Sequence, residues 1–310
     1  SLQVKGTAVR SEQLLRMILN NFLYYRFFGP QRNARSVFAG SGRPSGSHSS
    51  QVPMTREFLT PGLFLCGTDT DVGKTAVAEA ILRELTGHGV AVGVCKPVAS
   101  GVAADGGDPR RLWEAAGCPG EFADVCPQAF RAAAAPVRAA AAEGREIDEP
   151  LLVSAVDAWR ERSDCVIVEG AGGLYSPLSR QLLNADLARQ LGFPLVVCDD
   201  ARLGAIGRTL AVVTAARSQG LWIAAVVLSE VADPGPAAGD DPASPAAIMQ
   251  AGWEELTERL APTPVGILRH GARQIEPAID WQGLAEADDL SEQTPQRGQP
   301  PADRGAHESV

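Results

Sequence analysis

Apolar residues between positions 58 and 282 form short continuous runs, which alternate with stretches where apolar residues recur at helical spacing. Six runs have the length of buried strands: residues 63–66, 90–95, 165–168, 195–198, 223–228 and 265–268. Helices are predicted from residue 74, near residues 110–116, in an Ala-rich stretch ending at residue 144, and over residues 149–162, 203–217 and 244–260. This alternation predicts a single α/β domain with a mostly parallel sheet, right-handed crossovers and helices on both faces.

The two ends of the chain differ from this middle part. Residues 1–57 are expected to form a disordered extension, since residues 40–50 are rich in Gly and Ser. Three interpretations of the extension compete: upstream sequence from a wrongly assigned start, with Met54 as the natural first residue; an organellar targeting peptide; or a tag remnant. We favour the first, because Met54 comes just before the first predicted strand. Residues 283–310 are polar and rich in Pro and Gln, which predicts a disordered tail.

Charge and cysteine content narrow the class of function. Of 28 Lys and Arg residues, seven lie in residues 1–53 beside a single acid, so the rest of the chain is strongly acidic and is not expected to bind nucleic acid. The six cysteines have no Cys-x-x-Cys spacing and mostly lie in apolar runs, which is typical of reduced thiols in a cytoplasmic protein. A targeting role for residues 1–53 would make the compartment organellar instead. No apolar run reaches 18 residues, so no membrane span is predicted.

Residues 67–75 read Gly-Thr-Asp-Thr-Asp-Val-Gly-Lys-Thr and lie between a predicted strand and a predicted helix. Such a loop binds phosphate because the first amide groups of the helix have no intrahelical partner and lie at the positive end of its dipole. Gly73 permits close approach of the anion, Lys74 supplies a cation and Thr75 a hydroxyl for Mg²⁺. The spacing is unusual, since five residues rather than four separate the two glycines. The alternative is a Gly-rich turn, but the context favours the P-loop NTPase type of α/β fold.

Three charged residues follow predicted elements where a phosphate-binding site would need them. Lys96 ends the second strand and is expected to point into the crevice at the carboxyl edge of the sheet, although a surface lysine is the alternative. Glu169 ends the third strand, where an acidic Mg²⁺ ligand is expected, although the acid could lie by accident in a tight turn. Asp108 could cap the helix that follows it or bind Mg²⁺, and its spacing does not decide between these roles.

Residues 67–75, 96–101 and 168–174 together resemble the motifs of the dethiobiotin synthase family, in that family's order and approximate spacing. The five-residue spacing in the loop is that family's own variant, and the resemblance covers residues 62–270. It implies a homodimeric enzyme that uses ATP and Mg²⁺ to close the ureido ring of dethiobiotin from 7,8-diaminononanoate and CO₂. One amine captures CO₂ as a carbamate, the carbamate attacks the γ-phosphate, and the second amine displaces phosphate.

The resemblance also implies roles for individual residues. Lys74 and Lys96 would be catalytic. Mg²⁺ would be held by Thr75, Asp108 and Glu169. The diamine or its carbamate would contact Thr70, Ser100 and Gly173. The nucleotide would be bound by Asp71, Val72, Gly73, Lys74, Thr75, Ala76, Asp108, Glu169, Gly170, Ala171, Gly172, Ser229 and Glu230.

The chain departs from the family's pattern at three places. The family usually has Asn-Asp where this chain has Ser229 and Glu230, and a serine hydroxyl cannot imitate the paired donor and acceptor of an amide. Nucleotide selectivity is therefore expected to be looser or to come from elsewhere. Arg269 and His270 replace a Pro-aromatic segment that flanks the base, with a surface role as the alternative for His270. Gly207 replaces a usual Asn, which affects local packing more than chemistry.

Three other phosphate-loop classes fit the sequence less well. A cobyrinate-type amidating ligase needs a glutamine-hydrolysing domain, and nothing after residue 200 resembles one. A ParA- or MinD-like ATPase switch carries an extra lysine early in the loop, and residues 67–72 contain none. A GTPase switch is disfavoured because the chain has no Asn-Lys-x-Asp motif. The ring-closing ligase is therefore the function that the sequence predicts.

Overall fold

A parallel sheet organises the protein, and its strands come from the predicted apolar runs. The structure is a computed structural model that describes residues 60–233 and 241–286. The strands are β1 (Gly62–Gly67), β2 (Val92–Cys95), β3 (Val98–Ala99), β4 (Gln128–Ala129), β5 (Cys165–Gly173), β6 (Leu195–Asp200), β7 (Ile223–Ser229) and β8 (Val265–Leu268). Six of them form one sheet in the order β2-β5-β1-β6-β7-β8, and β3 pairs with β4 in a separate parallel pair.

Helices connect these strands, as the alternating pattern predicts. They are α1 (Lys74–Gly87), α2 (Gly107–Ala115), α3 (Phe122–Val125), α4 (Pro136–Ala142), α5 (Glu149–Arg160), α6 (Asn184–Leu191), α7 (Ala205–Ser218), α8 (Pro245–Leu260) and α9 (Trp281–Glu286). All of the described residues belong to one compact unit. The predicted α/β fold with a parallel sheet in a single domain is therefore confirmed.

Burial explains why the strands read as continuous apolar runs. Every residue of β1 and every residue of β7 is buried, because a parallel sheet is covered on both faces. The pairing brings the carboxyl ends of β1, β2 and β5 together, with Leu65 opposite Glu169 and Cys95 opposite Val168. Residues that follow these three strands therefore meet at one edge of the sheet, which is where the site lies.

Five elements of the structure are not predicted by the sequence pattern. These are the short strands β3 and β4 and the helices α3, α6 and α9, which have between two and eight residues each. The predicted boundary at residue 282 falls inside α9, so helical structure continues to Glu286. The cause is local packing, since Trp281 and Ala285 are buried against the core. The predicted extension over residues 1–57 and most of the predicted tail lie outside the described residues.

The described helices show no candidate for crossing a membrane, since none of those within residues 60–233 and 241–286 is both long and apolar enough.

Four of the six cysteines, Cys66, Cys95, Cys165 and Cys198, are buried, whereas Cys118 is exposed. Burial raises the pKa of the Cys66 thiol to about 12. Thiols in this environment are poor nucleophiles at neutral pH, because the reactive thiolate is scarce.

Candidate functional site

A cavity of about 590 Å³ opens at the carboxyl edge of the sheet. Residues after β1, β2, β5 and β7 line it, as expected for the ligand crevice of an open α/β sheet. Fifteen of the residues predicted from the sequence face this cavity: Thr70, Asp71, Gly73, Lys74, Thr75, Ala76, Lys96, Ser100, Asp108, Glu169, Gly170, Ala171, Gly172, Ser229 and Glu230. Residues separated by up to 160 positions in the chain thus share one cavity.

The phosphate loop leads directly into α1. Gly73 has a φ of 84°, in the left-handed region that glycine adopts without strain, and it is the N-cap of the helix. A β-carbon at this position would also overlap the Ser229 hydroxyl. Lys74 is only 7% exposed, and its ammonium donates a hydrogen bond of 3.0 Å to the Asp69 carbonyl oxygen. The first turn of α1 therefore offers amide groups and a held cation to an anion.

Lys96 lies between two carboxylates on neighbouring elements. Its Nζ is 2.6 Å from Glu169 Oε1 and 2.7 Å from Asp108 Oδ2, and the residue is 6% exposed. Burial alone would lower the pKa of the Lys96 ammonium, but the charges of Glu169 and Asp108 outweigh it and raise that pKa. Lys96 is therefore a cation throughout the neutral range, which suits charge stabilisation and excludes a role as a general base.

Asp108 lies in the first turn of α2, and its side chain does not cap the helix. The N-cap is Gly106, with no side-chain cap hydrogen bond, so the capping alternative is wrong. Burial would raise the pKa of the Asp108 carboxyl, but Lys96 and Arg111 lower it. Arg111 Nη1 is 3.8 Å from Asp108 Oδ1. The carboxylate is thus charged at neutral pH and directed toward the cavity.

Glu169 links Lys96, which follows β2, to Thr75 at the start of α1, and these residues form the charged end of the cavity. The residue is 1% exposed, and its Oε1 accepts hydrogen bonds from Lys96 and, at 3.0 Å, from the Thr75 hydroxyl. Its other oxygen, Oε2, is buried with no hydrogen-bond partner among the described residues. A buried carboxylate oxygen without a partner is costly and calls for one, such as an ion.

Two carboxylates and one hydroxyl are a suitable donor set for Mg²⁺. This ion prefers hard oxygen ligands and is usually bound by one or two carboxylates together with waters and substrate phosphates. Among residues 60–233 and 241–286, no group of three or more His, Cys, Asp or Glu side chains is arranged to hold a metal by itself. Thr75, Asp108 and Glu169 therefore fit an ion that binds together with a phosphate ligand.

Two predicted residues lie away from the main cavity. The Val72 side chain is 2% exposed and packs in the core, so only its backbone is available to a ligand. Gly173 lines a second cavity of about 450 Å³ together with Tyr175 and Ala211 of α7. Because Thr68 and Asp69 of the phosphate loop also border the second cavity, the two cavities lie on either side of that loop.

The end of the cavity beyond β7 is more open. Ser229 is buried, but Arg269, His270 and Arg273 are exposed. Glu230 Oε2 accepts a hydrogen bond of 3.0 Å from the His270 backbone amide. This contact ties the segment after β8 to the end of β7, so His270 is more than an isolated surface residue.

Comparison with known proteins agrees with these features. A family model described as an AAA domain matches residues 61–267. The ATP-dependent dethiobiotin synthetase of Anaeromyxobacter dehalogenans strain 2CP-C is 45% identical over 186 residues, which span 59% of this chain and 81% of that protein. The chain belongs to the dethiobiotin synthetase family. Synthetases of the same name from Rhodopirellula baltica and Caulobacter vibrioides strain NA1000 are each 39% identical, covering 55% of this chain and 73% and 80% of theirs.

Solved structures give only distant matches. Chloroplast FtsY from Physcomitrella patens aligns with 16% identity and a TM-score of 0.43, covering 90% of this chain and 79% of that one. The hydrogenase maturation factor HypB from Archaeoglobus fulgidus aligns with 15% identity and a TM-score of 0.39, covering 68% and 82%. These scores are too low to add to the argument, and the fold rests on the strand order described above.

In this dethiobiotin synthetase family member, the sequence analysis missed three cavity residues on α1 and α2. Glu79 and Arg83 follow Thr75 at intervals of four, which places all three on one face of α1. Arg111 comes three residues after Asp108 on α2. Glu79 accepts hydrogen bonds from Arg83 at 2.9 Å and from Arg111 at 2.6 Å, which links α1 to α2 at the rim. The i, i+4 spacing from Thr75 was the signal available in the sequence.

Proposed function

We propose that this protein is an ATP-dependent dethiobiotin synthetase, a ligase of biotin biosynthesis. It would form dethiobiotin from 7,8-diaminononanoate and CO₂ and release ADP and phosphate. The observation that carries the proposal is the convergence of Lys74 and Lys96 on one cavity, where Glu169 contacts both Lys96 and Thr75. In the proposed reaction, both cations stabilise charge near the same phosphorus, so Lys74 and Lys96 must line the same cavity.

Charge stabilisation is the main task of these residues in the proposed reaction. One amine of the diamine captures CO₂, a carbamate oxygen attacks the γ-phosphorus of ATP, and the second amine displaces phosphate to close the ring. Lys74 would hold the phosphates from the helix end, and Lys96 would stabilise the carbamate and the moving phosphoryl group. The raised pKa of Lys96 supports this role, because the group carries its charge before the substrates arrive.

A magnesium ion is the proposed cofactor. Thr75, Asp108 and Glu169 would hold it, directly or through water, and it would neutralise charge on the β- and γ-phosphates. The unpartnered Glu169 Oε2 supports this assignment, because the buried oxygen has no other ligand among the described residues.

The diamine is proposed to extend from one cavity to the other. Thr70 and Ser100 border the main cavity, where the amines would react, and Gly173 borders the second. The exposed side chains of Tyr175, which lines the second cavity, and of Leu203 support a homodimer in which a second copy covers them. We place the enzyme in the cytoplasm.

The test is a coupled assay of ADP release by the purified protein with ATP, Mg²⁺ and bicarbonate, with and without 7,8-diaminononanoate. We expect ADP release that requires the diamine, together with dethiobiotin detected by mass spectrometry in equal amount. ADP release that ignores the diamine but responds to DNA or membranes would favour a switch ATPase. Release that requires glutamine and a corrinoid acid would favour an amidating ligase.

A further inference from the structure

Asn184 is a fully buried polar residue next to the site, and none of the proposed roles involves it. It is the first residue of α6 and has no exposed surface. Its side-chain nitrogen donates hydrogen bonds of 2.7 Å to the carbonyl oxygens of both Ala171 and Gly173. Since carbonyls only accept hydrogen bonds, this pair of contacts fixes the orientation of the amide. Asn184 thus clamps the end of β5, the segment that carries Glu169.

The other side-chain atom of Asn184 shows how closely the clamp fits. Asn184 Oδ1 has no hydrogen-bond partner within the described part of the chain. It faces Gly170, where an added β-carbon would lie 2.7 Å from this oxygen and 3.0 Å from the Phe64 ring. The absence of a side chain at Gly170 is therefore what lets Asn184 reach the two carbonyls beyond it.

The clamp determines which way the next amide points. In a trans peptide the carbonyl and the following N–H point in opposite directions. The Ala171 carbonyl points to Asn184, so the N–H of Gly172 points away from Asn184, and Gly172 itself lines the main cavity. Gly172 has a φ of 80°, and a β-carbon there would lie 2.5 Å from Ser176 Oγ and 3.6 Å from the Thr70 methyl carbon. Gly172 is therefore next to Thr70, at the end of the cavity assigned to the diamine.

We infer that Asn184 is a positioning residue that aims the Gly172 amide at the anionic carbamate formed from the diamine. The inference rests on the proposed function, since the carbamate is its intermediate. A backbone N–H held in advance toward developing negative charge is an efficient stabiliser, because it needs no rearrangement when the charge appears. The side-chain donors of Asn184 go to β5 and not to the phosphate loop that contains Lys74. The Gly172 amide is thus assigned to the carbamate here rather than to the nucleotide.

The experiment compares Asn184→Asp with the unmodified full chain. The aspartate has the same shape but offers oxygen atoms to two carbonyl oxygens, so the clamp is lost. We expect the KM for the diamine to rise about tenfold or more, because two buried carbonyls lose their donor. The affinity for ADP, measured by calorimetry, should change by less than about threefold, since the phosphate loop that would hold its phosphates is a different segment from the one that Asn184 contacts.

Two further variants separate positioning from folding. Asp186→Ala removes the carboxylate that accepts a hydrogen bond of 3.0 Å from the Leu183 amide at the start of α6, without touching the glycines. We expect this control to lower the melting temperature while the KM for the diamine stays within twofold. Ser176→Ala removes the acceptor of the Gly173 amide, a contact of 2.8 Å on the same turn, and should raise the KM for the diamine by a smaller factor, about threefold.

The outcomes are distinct. If Asn184→Asp keeps its KM for the diamine, or if the ADP affinity falls in parallel, the positioning role is wrong. An equal rise in the Asp186→Ala control would also overturn it, because any disturbance of α6 would then suffice. Should Asn184→Asp fail to fold, an unchanged KM in Ser176→Ala would overturn it instead. An unmodified protein without diamine-dependent ADP release would refute the proposed function itself, and the inference with it.

Discussion

The two ends of the main cavity differ in how firmly their residues are held. At the charged end, Lys74, Lys96 and Glu169 are nearly fully buried, and their contacts measure 2.6 to 3.0 Å. At the end beyond β7, Arg269 and His270 are exposed, and hydrogen bonds of 3.0 and 3.1 Å join His270 to Glu230 and to the Val231 carbonyl. A buried charge network has few acceptable alternatives, because each member needs every other. A more open recognition surface can change residues with less loss of stability, and two of the three departures from the family pattern, at residues 229–230 and 269–270, lie there.

The largest effect should come from the charged end. Replacing Lys96 by Met keeps the volume of the side chain but removes its charge, so kcat should fall on the order of 10² or more, as happens when a preorganised stabilising group is lost. Steady-state kinetics of diamine-dependent ADP release measures this. The control is Arg83→Met, which removes a cation from the same cavity whose observed partner is Glu79 at the rim, and which should change kcat by less than about threefold.

An unchanged kcat in Lys96→Met would remove Lys96 from the catalytic residues. Equal losses in both variants would mean that the cavity needs positive charge in general rather than at one place. The position of the cation would then matter no more at the buried end than at the exposed rim, which would contradict the difference drawn between the two ends.

A second effect follows from the position of Lys96 between two proposed metal ligands. Without nucleotide, its ammonium already neutralises Asp108 and Glu169 at 2.7 and 2.6 Å. A divalent cation must compete with this ammonium. The Lys96→Met variant should therefore bind Mn²⁺ in the absence of nucleotide at least about tenfold more tightly than the unmodified protein does. The reason is that repulsion from a neighbouring unit charge costs the bound cation at least about 1.4 kcal/mol. Titration followed by electron paramagnetic resonance counts the free ion.

The matched control for this titration is the double variant Lys96→Met with Asp108→Asn. It lacks one proposed ligand, so the gain in Mn²⁺ affinity should disappear. A gain that persists would place the ion elsewhere, and no gain in the single variant would show that Lys96 does not compete with metal in the free protein.

The difference between the two ends also explains what the sequence could predict. The strands, the phosphate loop, Lys96 and Glu169 follow from local patterns, because a buried parallel strand and a helix start each have a sequence signature. The neighbourhood of β2 and β5, which brings Lys96 to Glu169, depends on strand order, and spacing along the chain does not encode it. Fold class and charged residues were thus accessible, whereas their mutual contacts were not.

Asn184 and Asp108 show the limits more sharply. Asn184 acts on a segment 11 to 13 residues earlier from the start of an eight-residue helix, and its partners are backbone carbonyls, which carry no signal in the sequence. Asp108 precedes a proline, as a capping residue often does, but the helix begins one residue before it and the carboxylate turns to Lys96 instead. Tertiary charge pairing outweighs the local preference there.

The smallest effect is expected at the open end, where Ser229→Asn restores the amide that the family usually has. The Ser229 hydroxyl lies against Gly73, so the longer side chain must point into the cavity, where its donor and acceptor can pair with a purine edge. The ratio of kcat/KM for ATP over that for GTP or CTP should rise about fivefold, the worth of roughly one hydrogen bond. Ser229→Thr adds bulk without an amide and should leave the ratio within twofold. If the Asn and Thr variants give the same ratio of kcat/KM, position 229 does not read the base. Another residue, for example Glu230, would then recognise it, and Ser229 would not be a point of relaxed selectivity.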